Sequence, residues 1–283
     1  MPPILTWLLP WDFSPTVLTV SLLSCGLYIA GMLMRRRAGT PAGFWRSLAF
    51  FSGVILIYIV LQTRFDYFAQ HMFWIHRLQH LVLHHMGPFL IMLAVPQAVM
   101  SSGIPRRLRD GLLIPLWRNR GVQIAYRFIQ HPLIAGILFV GLIYYWLIPS
   151  VHFQAMLDVH LYDLMNWSMA VDGLLFWWLI LDPRTREQGA RTRYGTRLFL
   201  TLAVMLPQIL LGSYIALSRT DLYTVYALCG RLWPISPLTD QHIGGLITWI
   251  PSCMMSVVAA LIVFGRLTRR DYRITAGQTG TLT

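Results

Sequence analysis

The chain has 283 residues, of which 56% are hydrophobic and only 12% charged, and its mean hydropathy is +0.56. A soluble domain carries about twice that charged fraction, and several apolar runs here reach the roughly 20 residues that cross a bilayer, which excludes a soluble fold. The net charge of +12 does not indicate nucleic acid, because all 23 basic residues are arginines in short clusters between apolar runs, the pattern of the positive-inside rule.

In chain order, residues 1–13 lack the basic region of a cleavable signal peptide. They carry Trp7, Trp11 and Phe13 among Pro2, Pro3 and Pro10, which reads as an aromatic interfacial anchor. Apolar runs follow at about 14–34, 46–62, 70–95, 132–149, 157–181, 198–217 and 241–264, each predicting a transmembrane helix. Polar residues interrupt the first half of the third run. Arg35–Arg37 and Arg46 flank the first connection. Six arginines between Arg106 and Arg127 fill the third, and five between Arg184 and Arg197 fill the fifth. Arg266, Arg269, Arg270 and Arg273 form the tail. Of the 23, only Arg64, Arg77, Arg219 and Arg231 fall on the other side.

That distribution predicts an all-α polytopic helical bundle of about seven spans, one domain over residues 1–283, with its N-terminus out and C-terminus in. It suits a bacterial inner membrane. The basic, amphipathic stretch within residues 96–131 is expected along the anionic inner leaflet, and the last ten residues as a frayed tail. Cys25, Cys229 and Cys253 show no CxxC spacing, so no redox role is read from them; Cys25 and Cys253 read as helix-packing residues and Cys229 as a lone thiol in an outer loop.

The histidines segregate. His71, His76, His80, His84 and His85 begin the third span, His152 and His160 precede and open the fifth, and His242 opens the seventh. Only His131 falls on the arginine-rich side. His76, His80 and His84 are spaced i, i+4, i+8 on one helix face. Measured from residue 70, His76 lies about 9 Å deep and His80 about 15 Å. Met72 lies one turn above His76, and Gln79 beside it. In the fifth span His160, Asp163 and Trp167 share a face. Asp240, Gln241 and His242 sit at the outer mouth of the seventh.

Polar groups at such depth are costly and face the bundle interior. Imidazoles with a thioether suit copper, while imidazoles with carboxylates suit zinc or another borderline metal. Asp163 and other carboxylates can orient a ligating ring. For His76 and His80 the choice stands between metal or haem ligation and an interhelical hydrogen-bond network. His84 and His85 read as packing or polar-network groups, and His152 as a wet loop residue or part of the site. Arg77 would repel a metal ion unless it pairs with Asp66 or Asp163.

Residues 76–96, HRLQHLVLHHMGPFLIMLAVP, resemble the HMxQHLLL…PPLLLLGxP signature of the CtaG-type membrane proteins linked to assembly of caa-type cytochrome c oxidase. GLLFWW (173–178) with His160, PQILLGSYIAL (207–217) and PLTDQHIGGLITWIP (237–251) resemble further motifs of that family, in order, over about residues 70–265. The resemblance implies a seven-helix protein that supports maturation of a haem–copper oxidase through its copper centres. His76, Gln79 and His80 stand at the HMxQH positions, Asp240 and Gln241 at the DQ pair, and His160 at the outer histidine of the fifth span. Arg77 stands in place of the motif's methionine, and Asn166 where a second fifth-span histidine is expected.

The expected function is therefore assembly of a respiratory haem–copper oxidase by transient copper binding on the periplasmic side. Ligands would come from His76, His80, His160 and His242, supported by Met72, Gln79, Asp163, Asp240 and Gln241. Expected partners are oxidase subunits, a periplasmic copper donor and the lipid bilayer, with no nucleic acid. The sequence shows no nucleophile–base pair or nucleotide loop, so an enzyme is not expected. The alternatives are a haem-binding redox protein and a copper permease, which would need ligands continuing through the inner half.

Overall fold

The computed structural model describes residues 12–279, with side chains as far as Arg269. Of the expected N-terminal anchor, Trp7 and Trp11 lie outside the described residues, and Phe13 is exposed. Residues 280–283 of the expected frayed tail also lie outside them. Within the described residues the chain is helical without strands. Five helices are long and apolar enough to cross a membrane, and two bent pairs raise the number to seven if each is one span.

These are α1 (Pro15–Arg37), α2 (Phe44–Gln62), α3 (Phe73–Leu93), α4 (Pro132–Leu147), α5 (Val159–Leu181), α6 (Tyr194–Leu217) and α7 (Pro237–Thr279). The chain is thus a polytopic membrane bundle, as its apolar runs predict. Large residues such as Leu22, Leu210 and Leu261 remain exposed on the spans, as a lipid-facing surface requires.

Local chemistry sets the helix starts. Pro15 occupies the first turn of α1, where its missing N–H costs nothing. Asp158 caps α5 by accepting from the backbone N–H groups of His160 and Leu161 at 2.8 and 3.0 Å, an ordinary N-cap. The start of α3 lacks a local cap and borrows one from α7. Asp240 accepts from Phe73 N–H at 3.1 Å and Trp74 N–H at 2.9 Å.

The third span therefore begins later than the apolar run suggests. Residues Arg64–His71 form a separate short helix, and Met72 is extended. Within α3 the residues Val82–Met86 form a single π turn. The span ends at a 70° bend into Pro96–Gly103. The stretch between that bend and α4 is a series of short helices. They expose Leu112, Trp117, Ile124 and Phe128 among its arginines, the composition of an interfacial segment.

α3 is the centre of the bundle. Its side chains bond to α2 through Gln79 and the Val60 carbonyl, to α5 through His80 and Asn166, to α6 through His85 and Gln208, and to α7 through Arg77 and Thr248. The ring of His84 stacks on Phe139 of α4 with centroids 4.1 Å apart.

Small residues let the backbones approach. A Cβ on Gly173 of α5 would stand 2.5 Å from the His84 carbonyl oxygen, and one on Gly245 of α7 2.5 Å from the Ala216 backbone nitrogen. These contacts involve backbone atoms, which cannot swing aside.

Gly173→Ala must therefore push α5 from α3, and overpacking of this kind costs about 1–3 kcal/mol. We expect a lower thermal midpoint in detergent for Gly173→Ala, and no comparable change for Gly141→Ala, whose Cβ meets open space. Equal midpoints for the two variants would contradict this packing.

Candidate metal-binding site

The N-terminal half of α3 is held by a polar network that begins on the short helix before it. Asp66 is buried and accepts from Tyr162 Oη, Gln79 Nε2 and Gln70 Nε2, each at 2.7 Å. Gln79 also donates to the Val60 carbonyl at 2.8 Å. The ring of Tyr162 and the side chain of Gln79 are thereby fixed beside His76. Burial pushes the Asp66 carboxyl up from 3.8 to about 6, against the opposing pull of its three hydrogen bonds.

His76 and His80, one helical turn apart, bring their ring centroids to 4.4 Å. The third ring comes from outside the spans: His152, on the short helix Pro149–Leu157, lies 5.1 Å from His76, edge to face. All three rings are essentially inaccessible to solvent. His152 is anchored at both nitrogens, with Nδ1 3.0 Å from the Trp146 carbonyl and Nε2 3.0 Å from Tyr226 Oη. A carbonyl only accepts, so His152 carries its proton on Nδ1 and accepts from Tyr226. Burial, reinforced by the nearby Arg77 cation, depresses its pKa to about 3, so the ring is neutral.

Arg77 donates from Nε to Thr248 Oγ1 at 3.0 Å and lies with Nη1 3.3 Å from His80 Nδ1. Because arginine only donates, His80 accepts at Nδ1 and presents Nε2–H to Asn166 Oδ1 at 3.3 Å. His76 differs from its neighbours. Both of its ring nitrogens are buried and neither has a hydrogen bond of normal geometry. Buried polar atoms are nearly always paired, and an imidazole left open at both nitrogens between two others is poised for a ligand. Among the described residues no three His, Cys, Asp or Glu side chains form a ready metal cage.

The structure brings together only part of the expected site. His76, His80 and Gln79 meet in the interior, but His160 and Asp163 are exposed. α5 turns Tyr162, Asn166 and Met169 inward instead, so the His160–Asp163–Trp167 face looks away from α3. His242 is half-buried, with Nε2 3.0 Å from the Ser218 carbonyl.

Asp240 and Gln241 are braces. Asp240 caps α3 and meets Arg231 Nε at 3.3 Å. Gln241 accepts from Leu222 N–H at 2.7 Å and donates to the Ile215 and Thr220 carbonyls. Met72, outside the helix, packs with Ala69 and Ile75. Arg77 has no carboxylate partner among the described residues: Asp66 is taken by neutral donors, and Asp163 is exposed. His152 enters the site although nothing in its local sequence marks it, because its helix is too short to show a face.

Residues 26–270 match the family described as cytochrome c oxidase caa3 assembly factor, Caa3_CtaG. An uncharacterized protein of Mycobacterium leprae is 26% identical over 289 residues, covering 96% of this chain and 42% of the relative. An uncharacterized protein of Mycobacterium bovis is 26% identical over 279 residues, covering 93% of this chain and 40% of the relative. The chain thus spans about two fifths of the length of these relatives. No solved structure matches it.

The raised Asp66 value predicts a measurable titration. The protonated carboxyl favours the fold. Its contribution is complete below 3.8 and is lost as pH rises through about 6. A protonated-carboxyl infrared band should disappear on raising pH through about 6 and be absent from Asp66→Asn. A band lost near 4 instead would show that Asp66 is not buried in this network.

Proposed function

The chain belongs to the family of cytochrome c oxidase caa3 assembly factors, and from that membership we propose that it matures a haem–copper oxidase by holding copper transiently between His76, His80 and His152. The observation that carries this reading is His76, a buried imidazole with neither nitrogen in a hydrogen bond of normal geometry and two further imidazoles against its ring. Copper is the cargo here. Imidazole ligands suit it, and a neutral ring retains the lone pair that coordination needs.

Arg77 gives the site its transient character. A fixed guanidinium held by Thr248 beside His80 raises the energy of a second cation nearby, which weakens retention and favours release. The hydrogen bonds of His80 and His152 work in the same direction, since a metal must compete with Asn166 or Tyr226 for their Nε2 atoms.

The arginine distribution orients this end of the bundle outward in a bacterial inner membrane, with the C-terminus inside. There the site would receive copper from a periplasmic donor and pass it to an oxidase subunit. Haem is less well supported. Bis-imidazole ligation draws on facing helices, whereas His76 and His80 share α3, and the space lined by Arg77, His80, His84 and His85 is only about 10 Å³.

Replacing His76 and His80 together by Ala should leave the protein inserted, because insertion follows apolar length. Bound copper should fall, with a loss of affinity beyond the roughly 10–100-fold typical of outer-shell substitutions. Oxidase activity in the host membrane should drop several-fold, with partial rescue by added copper. Unchanged oxidase activity in a stably inserted double variant would reject these residues as the working site.

A further inference from the structure

About 12 Å further along α3 from His76, at 1.5 Å per residue, the π turn Val82–Met86 carries His84 and His85. A π turn admits an extra residue into the helix and recurs at functional sites. Here adjacent histidines both turn into the bundle and both are buried. Gly173 allows α5 to come against the His84 backbone, and Trp177 Nε1 donates to the His84 carbonyl at 3.1 Å.

The protons of the two rings can be placed from their partners. His84 Nε2 lies 3.0 Å from Asp172 Oδ2. His85 Nε2 lies 3.1 Å from Gln208 Oε1, and the Gln208 amide nitrogen is committed to the Val204 carbonyl at 2.9 Å. The Gln208 amide oxygen only accepts, and so does Asp172 when ionised, so with the carboxylate charged both rings carry hydrogen on Nε2 and a lone pair on Nδ1. Both Nδ1 atoms are buried without a partner. The ring centroids are 4.9 Å apart. Both residues line one small cavity with Arg77, His80, Met169 and Thr248.

We propose that His84 and His85 form a second, deeper site that takes a single Cu(I) ion between their Nδ1 atoms. A ligating histidine characteristically donates its other N–H to a carboxylate or amide oxygen, which fixes the ring and raises its basicity. Asp172 and Gln208 stand in those positions. A closed-shell monovalent ion is satisfied by two nitrogen donors, whereas Zn²⁺ requires about four ligands, and no third His, Cys, Asp or Glu converges here among the described residues. Met169 adds a thioether to the lining, a donor type that selects Cu(I).

The cavity, about 10 Å³, excludes a hydrated ion or an organic ligand and admits at most about one water molecule. Asp172 behind His84 offsets the added charge. The Arg77 guanidinium is held toward Thr248 and His80. The ligating Nδ1 atoms differ from the donors of the outer site, although Arg77 and His80 border both.

The test uses the full chain carrying His76→Ala and His152→Ala, two outer-cluster rings that do not line the deeper cavity, in lipid nanodiscs, loaded with Cu(I) against a competing chelator under reducing conditions. One ion per chain should remain, with a two-nitrogen, low-coordinate X-ray absorption spectrum, where the unsubstituted chain binds two. In the same variant labelled with ¹⁵N-histidine, Ag(I) should shift the Nδ1 resonances of His84 and His85, a readout that needs no substitution at either ring. Nδ1 resonances unmoved by the ion would overturn the proposal and leave a bound water as the occupant. A retained ion with sulfur or oxygen ligation would also overturn it. Loss of only the outer ion supports both sites, whereas a double variant that still binds two ions rejects the outer one.

Discussion

Lipid offers no hydrogen-bond partner, so a helix carrying four imidazoles, a guanidinium and an amide within ten residues must find every partner inside the protein. α3 is such a helix, and the placement of the other spans answers its demands. Gln79 is met by α2, His80 and His84 by α5, His85 by α6 and Arg77 by α7. Even the first amides of α3 are capped by Asp240 from the far end of the chain. The glycines at the crossings follow from the same constraint, since Asp172 reaches His84 only because Gly173 beside it leaves room for the His84 backbone.

The partners also decide where each imidazole keeps its proton. Arg77 makes Nδ1 of His80 an acceptor, Asp172 and Gln208 do the same for His84 and His85, and the Trp146 carbonyl imposes the opposite tautomer on His152. What remains open is a short inventory: both nitrogens of His76 and the Nδ1 atoms of His84 and His85. The copper chemistry proposed for this family member draws on those lone pairs together with the rings of His80 and His152. It also rests on a cation, Arg77, that keeps binding weak enough to reverse.

Much of the architecture was legible in the sequence because apolar length is a strong physical requirement of a span. The His76–His80 pair was legible because one helical turn is a fixed distance. Other features were not. α5 is apolar on most sides, so periodicity could not choose between the face of His160 and Asp163 and the face of Tyr162 and Asn166; packing against α3 chose the second. Met72 was assigned to the His76 face by extending a helix that in fact breaks there, because Asp240 from α7 caps Phe73 and Trp74 and no local residue signals the break. The π turn at Val82–Met86 has no sequence signature either. His152 lies on a nine-residue helix outside the spans, too short for its spacing to reveal which side is buried.

Whether buried partners hold His80, His84 and His85 in fixed tautomers can be read directly from ¹⁵N chemical shifts of the histidine rings in the metal-free protein. Hydrogen is expected on Nε2 of His80, His84 and His85 and on Nδ1 of His152. Hydrogen on Nδ1 of His84 and His85, or rings exchanging between tautomers, would contradict those assignments.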